Sequence, residues 1–327
     1  GGPASFALTT DAASCTLWIG CASLMPADNV DGMRADLLTA IRDLKPPIVR
    51  WPGGNFASGY HWQDGLGDRD LRPARFDRAW SVWDTNDFGT HEFLRFCELV
   101  GCEPYVCLNA GEALADEAAA WVEYCNSPPD GPQGKRRAAN GSLKPFGVKY
   151  WGLGNELYGS WQLGHLSPTN YARKATEFAK AVRAVDPTVK LVGIGVDGAG
   201  WNDWNATVAK GAGEAMDYLS AHLYHDVPPE GDPLVNYRLA MEAPDRFERV
   251  LVETARIAAN GRRSSAANAP GGKPMPLAVD EWNLVNRDAW NGQLLPEGKL
   301  REGLFAARMF NVFLRLSARV RMANIAL

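Results

Sequence analysis

The sequence predicts an α/β protein built as a (β/α)8 barrel of the TIM type, and three observations carry that prediction. Short, continuously apolar runs alternate with longer amphipathic segments along the whole chain, which is the pattern of parallel strands covered on both faces by helices. The 327 residues suit one such barrel, which takes about 250 residues and more with insertions. A doubly wound sheet would show the same alternation, but it usually carries a Gly-rich phosphate loop after its first strand. No GxGxxG stands there.

The eight candidate strands are residues 18–24, 48–51, 104–109, 148–155, 191–196, 218–224, 277–282 and 320–326. Between them lie helical patterns. Residues 31–44 place Met33, Leu37, Ile41 and Leu44 on one stripe. Residues 167–186 open with Ser167-Pro168, an N-cap followed by Pro at the first helical position. They turn Tyr171, Ala175, Phe178, Val182 and Val185 inward and stop at Asp186-Pro187. Residues 303–316 repeat the pattern with Leu304, Ala307, Phe310 and Leu314. Two Pro/Gly-rich stretches, 127–144 and 266–273, read as loops. The last strand runs to the C-terminus, so the barrel is expected to be truncated at its eighth strand, with the closing loop and helix outside this chain.

Composition narrows the partners. The chain is 46% hydrophobic and 22% charged with a net charge of −4, which gives no reason to expect nucleic acid or an anionic membrane. No apolar run approaches the roughly 20 residues of a membrane span. The opening GGPASFALTTDAAS has neither the basic start nor the apolar core of a secretory signal. Cys15, Cys21, Cys97, Cys102, Cys107 and Cys125 form no CxxC pair and have no His at metal-ligand spacing. They read as free thiols, mostly buried, in a reducing compartment. A cytoplasmic protein is expected. The twelve Trp divide between core packing and a sugar site, where flat rings stack on apolar sugar faces.

In this fold the site forms at the C-terminal ends of the strands. Arg50 and the turn to Asn55 end the second candidate strand, Asn109 the third, Asn155-Glu156 the fourth, His222 and Tyr224 the sixth, and Glu281 the seventh. Two carboxylates at one rim suit glycoside hydrolysis, one protonated to serve the leaving oxygen, the other ionised. A lone glutamate at a strand end is more often an ion-paired residue than a catalyst. Arg50 alone reads as a partner for a core carboxylate, His222 alone as a structural histidine, and Asn55 as a turn residue. Two glutamates, each ending a buried strand beside Asn or Trp, shift the balance toward catalysis.

The blocks RWPGGNFASGYHWQDGLGDR (50–69), NDFGTHEF (86–93), YWGLGNELYGSWQLGH (150–165) and LAVDEWN (277–283) resemble those of glycoside hydrolase family 51, chiefly α-L-arabinofuranosidases. The resemblance runs in order over nearly the whole chain. It implies an exo-acting, retaining enzyme that removes arabinofuranosyl residues from arabinoxylan, arabinan or their oligosaccharides, with no metal or organic cofactor. By that match Glu156 is the acid/base and Glu281 the nucleophile. Asn155 meets the sugar 2-hydroxyl. Arg50 and Asn55 hold the nucleophile and the sugar hydroxyls, Tyr224 supports the nucleophile beside His222, and Trp80 is an aromatic near the glycone. Glu156 is expected to keep a raised pKa so as to remain an acid near neutrality. The resemblance also implies homo-oligomeric assemblies, and a C-terminal β-sandwich not present in this chain, so that residues 1–327 are the catalytic barrel. Many members carry an acidic residue after the first strand. Here residues 18–32 read WIGCASLMPADNVDG, without Glu, which leaves open a galactofuranosidase, a β-xylosidase, an endoglucanase or an inactive sugar-binding fragment.

Overall fold

The computed structural model describes residues 5–197, 203–227, 231–265, 274–285 and 300–326, with backbone alone for 262–265. Seven parallel strands form one curved sheet: β1 (Ile48–Trp51), β4 (Glu103–Cys107), β5 (Tyr150–Gly152), β6 (Lys190–Gly193), β7 (Tyr218–Asp226), β8 (Leu277–Val285) and β9 (Val320–Ile325), adjacent in that order. A small antiparallel hairpin, β2 (Arg75–Asp77) and β3 (Val82–Asp84), stands apart on the rim. Helices separate the sheet strands: α1 (Ala35–Leu44) before β1, α2 (Thr90–Val100) before β4, then α3 (Ala115–Asn126) and α4 (Pro132–Ala139), α5 (Pro168–Val185), α6 (Trp204–Ala212), α7 (Pro233–Ser265) and α8 (Leu300–Arg315). This is the predicted barrel class, nearly closed.

The core follows from the apolar strands and the helix stripes. On α5 the predicted cap holds: the Ser167 hydroxyl accepts from the Asn170 amide, Pro168 opens the helix, and Tyr171, Ala175, Phe178 and Val182 are buried. Trp62 stacks on Trp121, with ring centroids 6.0 Å apart, and Trp121 meets Trp151 edge-on at 5.9 Å. Burying each such side chain stabilises the fold by roughly 1.5–3 kcal/mol. These rings anchor the segments that lead into the catalytic face.

Three expectations fail, and two share one cause. Residues 18–24 form no strand, and Trp18 is 89% exposed. A β-prone run becomes a strand only by pairing, and this one pairs with nothing. β1 and β9 are therefore the two edges of the sheet among the described residues. The helices beside that seam turn other faces inward than predicted. On α1 Leu38 is buried while Leu37 and Leu44 are exposed. On α8 Phe305, Met309 and Val312 are buried while Leu304, Phe310 and Leu314 are exposed. Both helices carry two apolar stripes, and among the described residues none covers the one facing the open seam. Separately, the stretch 127–144 contains α4, begun by Pro132 at its first turn, because Pro can start a helix although it breaks one inside. The loop expected at 266–273 lies outside the described residues.

All six cysteines are free: Cys97, Cys107 and Cys125 buried, Cys102 half-buried, Cys15 and Cys21 exposed. No helix among the described residues is long and apolar enough to cross a membrane.

Candidate active site

The strand ends converge as barrel geometry requires. Glu281 lies in β8, where the register slips against both neighbours. From Ser220–Ala278 to His222–Glu281 β8 advances three residues against two in β7, and from Val279–Ala323 to Trp282–Ile325 it advances three against two in β9. Such a bulge adds a residue and re-aims side chains. Here it lets the adjacent Asp280 and Glu281 both reach the same arginine. Arg50 of β1 donates from Nη1 to Glu281 Oε1 at 2.8 Å, and its Nε stands 3.7 Å from Asp280 Oδ2. Tyr224 of β7 donates to Glu281 Oε2 at 2.7 Å.

Glu156 arrives differently. β5 ends at Gly152, and the chain turns through Gly154 at φ +97° and Glu156 at φ +44°. A Cβ at Gly154 would stand 2.7 Å from that of Ala110, so this turn admits only glycine. Glu156 Oε1 faces His222 Nδ1 at 2.7 Å and accepts from the Tyr158 hydroxyl at 3.0 Å, while Oε2 accepts from the Trp161 indole at 3.1 Å. Asn155 accepts from Arg50 Nη2 at 2.6 Å and donates to Asn55 at 3.3 Å.

His222 joins the two acids. Its Nδ1 is also 3.4 Å from Glu281 Oε2, and its Nε2 is 3.3 Å from Asp280 Oδ1. Each ring nitrogen thus meets carboxylate acceptors, which only the doubly protonated imidazolium satisfies from both sides. Burial opposes that charge, but Glu281, Asp280 and Glu156 together lift the His222 pKa well above its ordinary value. The same contact corrects the expectation for Glu156. Burial alone would raise its carboxyl, but the hydrogen bonds from His222, Trp161 and Tyr158 outweigh burial and hold it below the usual range. Asp280, buried and bonded by His222 and by Tyr105 at 2.9 Å, is likewise held low, against the push of its own burial.

Every predicted site residue but Asn109 belongs to this constellation or its cavity. Trp80, 40% exposed in the turn between β2 and β3, lines the same cavity of about 830 Å3 as Arg50, Asn55, Glu156, Tyr224 and Glu281. Asn109 instead ties its own loop, donating to the Tyr60 carbonyl and accepting from the amides of Gly111 and Glu112. Sequence reasoning passed over Asp280, Tyr158 and Trp161. The latter two stood in the quoted LYGSWQ run, where a loop folding back on its own glutamate leaves no periodic signal. Glu156, His222 and Glu281 offer ligand atoms within 4.8 Å of one another, a spacing a cation can use. The two carboxylates already face five N–H or O–H groups between them, which supply that positive field.

The profile of the α-L-arabinofuranosidase 1 domain matches residues 40–242. The chain belongs to this family, that of the family 51 glycoside hydrolases. It is 38% identical over 313 residues to α-L-arabinofuranosidase C of Emericella nidulans, covering 92% of this chain and 60% of that protein. It is 38% identical over 262 residues to the intracellular exo-α-(1→5)-L-arabinofuranosidase 1 of Bacillus subtilis, covering 79% of this chain and 51% of that one. The Thermotoga maritima α-L-arabinofuranosidase, solved as an arabinose complex, superposes with a TM-score of 0.82 at 35% identity, over 92% of this chain and 59% of that chain. The chain thus spans about three-fifths of the length of the family 51 relatives that cover most of it.

Proposed function

We propose that this chain is the catalytic barrel of a retaining, exo-acting α-L-arabinofuranosidase acting on arabinose-containing oligosaccharides or polysaccharides. The observation that carries the reading is the meeting of the two glutamates at His222 Nδ1, one carboxylate oxygen of each within 4.8 Å of the other, a close approach that favours the shorter of the two separations such enzymes use. Retaining enzymes hold their carboxyl groups about 5–5.5 Å apart, inverting ones roughly 6.5–9.5 Å. Glu281, fixed by Arg50 and Tyr224, attacks the anomeric carbon and forms a glycosyl ester as the bond to the leaving oxygen breaks. That oxygen takes a proton from Glu156. Water then adds to the anomeric carbon, loses its proton to Glu156, and releases Glu281, so configuration is kept. Asn155 and Asn55 are placed to meet sugar hydroxyls, and Trp80 to border the glycone.

The depressed pKa of Glu156 places the resting proton of the Glu156–His222 pair on the imidazole, one 2.7 Å contact from where the acid step needs it. The intracellular relative by name and the free thiols support a cytoplasmic setting.

Hydrolysis of 4-nitrophenyl glycosides tests the reading. Release is expected from the α-L-arabinofuranoside and not from the β-D-galactofuranoside, β-D-xyloside or β-D-glucoside. Release only from one of the latter overturns the substrate assignment. Glu156→Ala should slow natural arabinosides far more than nitrophenyl ones, because only poor leaving groups need the proton. Equal loss on both would remove Glu156 from the acid role.

A further inference from the structure

The two oxygens of Glu156 are held unequally. Oε1 faces the buried His222 and the half-buried Tyr158, whereas Oε2 takes its hydrogen bond from Trp161, which is 53% exposed. An indole N–H only donates. While it points at Oε2, that oxygen is held as a carboxylate acceptor, and a proton placed on it would meet the indole N–H. The arrangement copies one moment of the reaction, since the incoming water would also point an O–H at Glu156. The indole N–H stands where that O–H would stand.

We infer that Trp161 is a displaceable positioning residue: it holds Glu156 Oε2 in the free site and is pushed aside by the sugar that serves as leaving group. The inference rests on the reading of Glu156 as acid/base. Oε1, with those two donors, stays anchored. Oε2 is freed when the leaving-group sugar enters; without the indole donor that oxygen holds a proton more readily, and it is from Oε2 that the leaving oxygen takes its proton while His222 stays on Oε1. Once the leaving group has departed with that proton, Glu156 is again a carboxylate whose Oε2 receives the proton of water, and Trp161 returns only after the products have left. Occupancy of the leaving-group side thereby sets which chemistry Glu156 performs.

The other groups near Glu156 belong to the barrel: His222 and Tyr224 approach from β7 and Glu281 from β8. Asp197, beyond the end of β6, acts by charge on Tyr158. These come from strands or their ends, whereas Trp161 lies on the rim. Gly159 gives an independent handle, because a Cβ there would overlap the indole ring in its present seat.

The test uses the chain with Trp161→Phe and Gly159→Ala. The first removes the N–H and keeps a ring. The second keeps the indole and unseats it. Removing a donor from a carboxylate raises its pKa, so the basic limb of kcat/KM, which reports the free enzyme, should move up by about half a pH unit or more in both variants. In the wild type the basic limb of kcat should already lie above that of kcat/KM, and the gap should close in Trp161→Phe. Infrared titration of the protonated carboxyl band, assigned with Glu156→Gln, reads the same shift without turnover. Limbs and band unmoved in both variants would reduce Trp161 to packing and overturn the inference. A wild type that hydrolyses no arabinofuranoside would instead sink the proposed function, and the infrared shift would still report on Trp161.

Discussion

The two candidate catalytic glutamates sit in cradles of different construction. Glu281 belongs to a nine-residue strand, bulged to aim it, and two of its donors come from other strands of the same barrel, Tyr224 from the adjacent β7 and Arg50 from β1 across it. Glu156 sits just past a three-residue strand, at a left-handed φ, and two of its donors come from the loop that follows it. One cradle is a fixed part of the sheet, and the other can be rearranged by what binds. A nucleophile needs a constant geometry and charge. An acid that later becomes a base needs an environment that changes within one turnover.

That contrast can be broken most severely at Glu281. Glu281→Ala should lower kcat by about 10^6-fold, the scale seen when a hydrolase loses its nucleophile. Azide should restore turnover and give a glycosyl azide of inverted configuration. A retained product would exchange the roles of the two glutamates. Tyr224→Phe removes one of the fixed donors. A loss of about 10^2-fold in kcat is expected, equal for natural and nitrophenyl substrates because it acts on the nucleophile rather than on the leaving group. A loss confined to natural substrates would place Tyr224 with Glu156 instead.

Arg50→Met sharpens the comparison through stability. It leaves Asp280 and Glu281 buried without their cation, which costs about 3–5 kcal/mol for a buried pair and should appear as a lower urea midpoint. An unchanged midpoint would show that His222 alone sustains both acids.

The smallest effect is the pH dependence of melting. Asp280 and Glu156 have folded values below their ordinary 3.8 and 4.5. Their contribution is present above those ordinary values and is lost as pH falls through the lowered ones. His222 is raised above its ordinary 6.5. Its contribution is complete below 6.5 and is lost as pH rises through the raised value. The melting temperature should therefore decline on both sides of a mildly acidic plateau between the ordinary 4.5 and 6.5, and His222→Gln should flatten the decline on the alkaline side. An alkaline decline that survives in that variant would assign it to another group.

Much of this site was legible in the sequence because a barrel gathers strand ends whatever their separation along the chain. Arg50, Asn155, Glu156, His222, Tyr224 and Glu281 each follow an apolar run, and that is enough to bring them together. Asp280 was hidden because an ordinary strand turns neighbouring residues to opposite faces, and nothing in PLAVDEWN announces the bulge. The pKa of Glu156 was misjudged because sequence shows burial but not the imidazolium 2.7 Å away. The inward faces of α1 and α8 were misassigned for a different reason. Each carries two apolar stripes, and which one is covered depends on the neighbour across the seam.

That seam bears on how the chain behaves at high concentration. A strand edge offers a row of backbone donors and acceptors, and β1 and β9 both offer theirs beside exposed apolar side chains, Leu44 at 79%, Ile325 at 60% and Phe310 at 56%. Two copies meeting edge to edge would gain ladder bonds and bury oil in the same step. Lys45, on the wall of the same cavity, is a gatekeeper charge standing against that association.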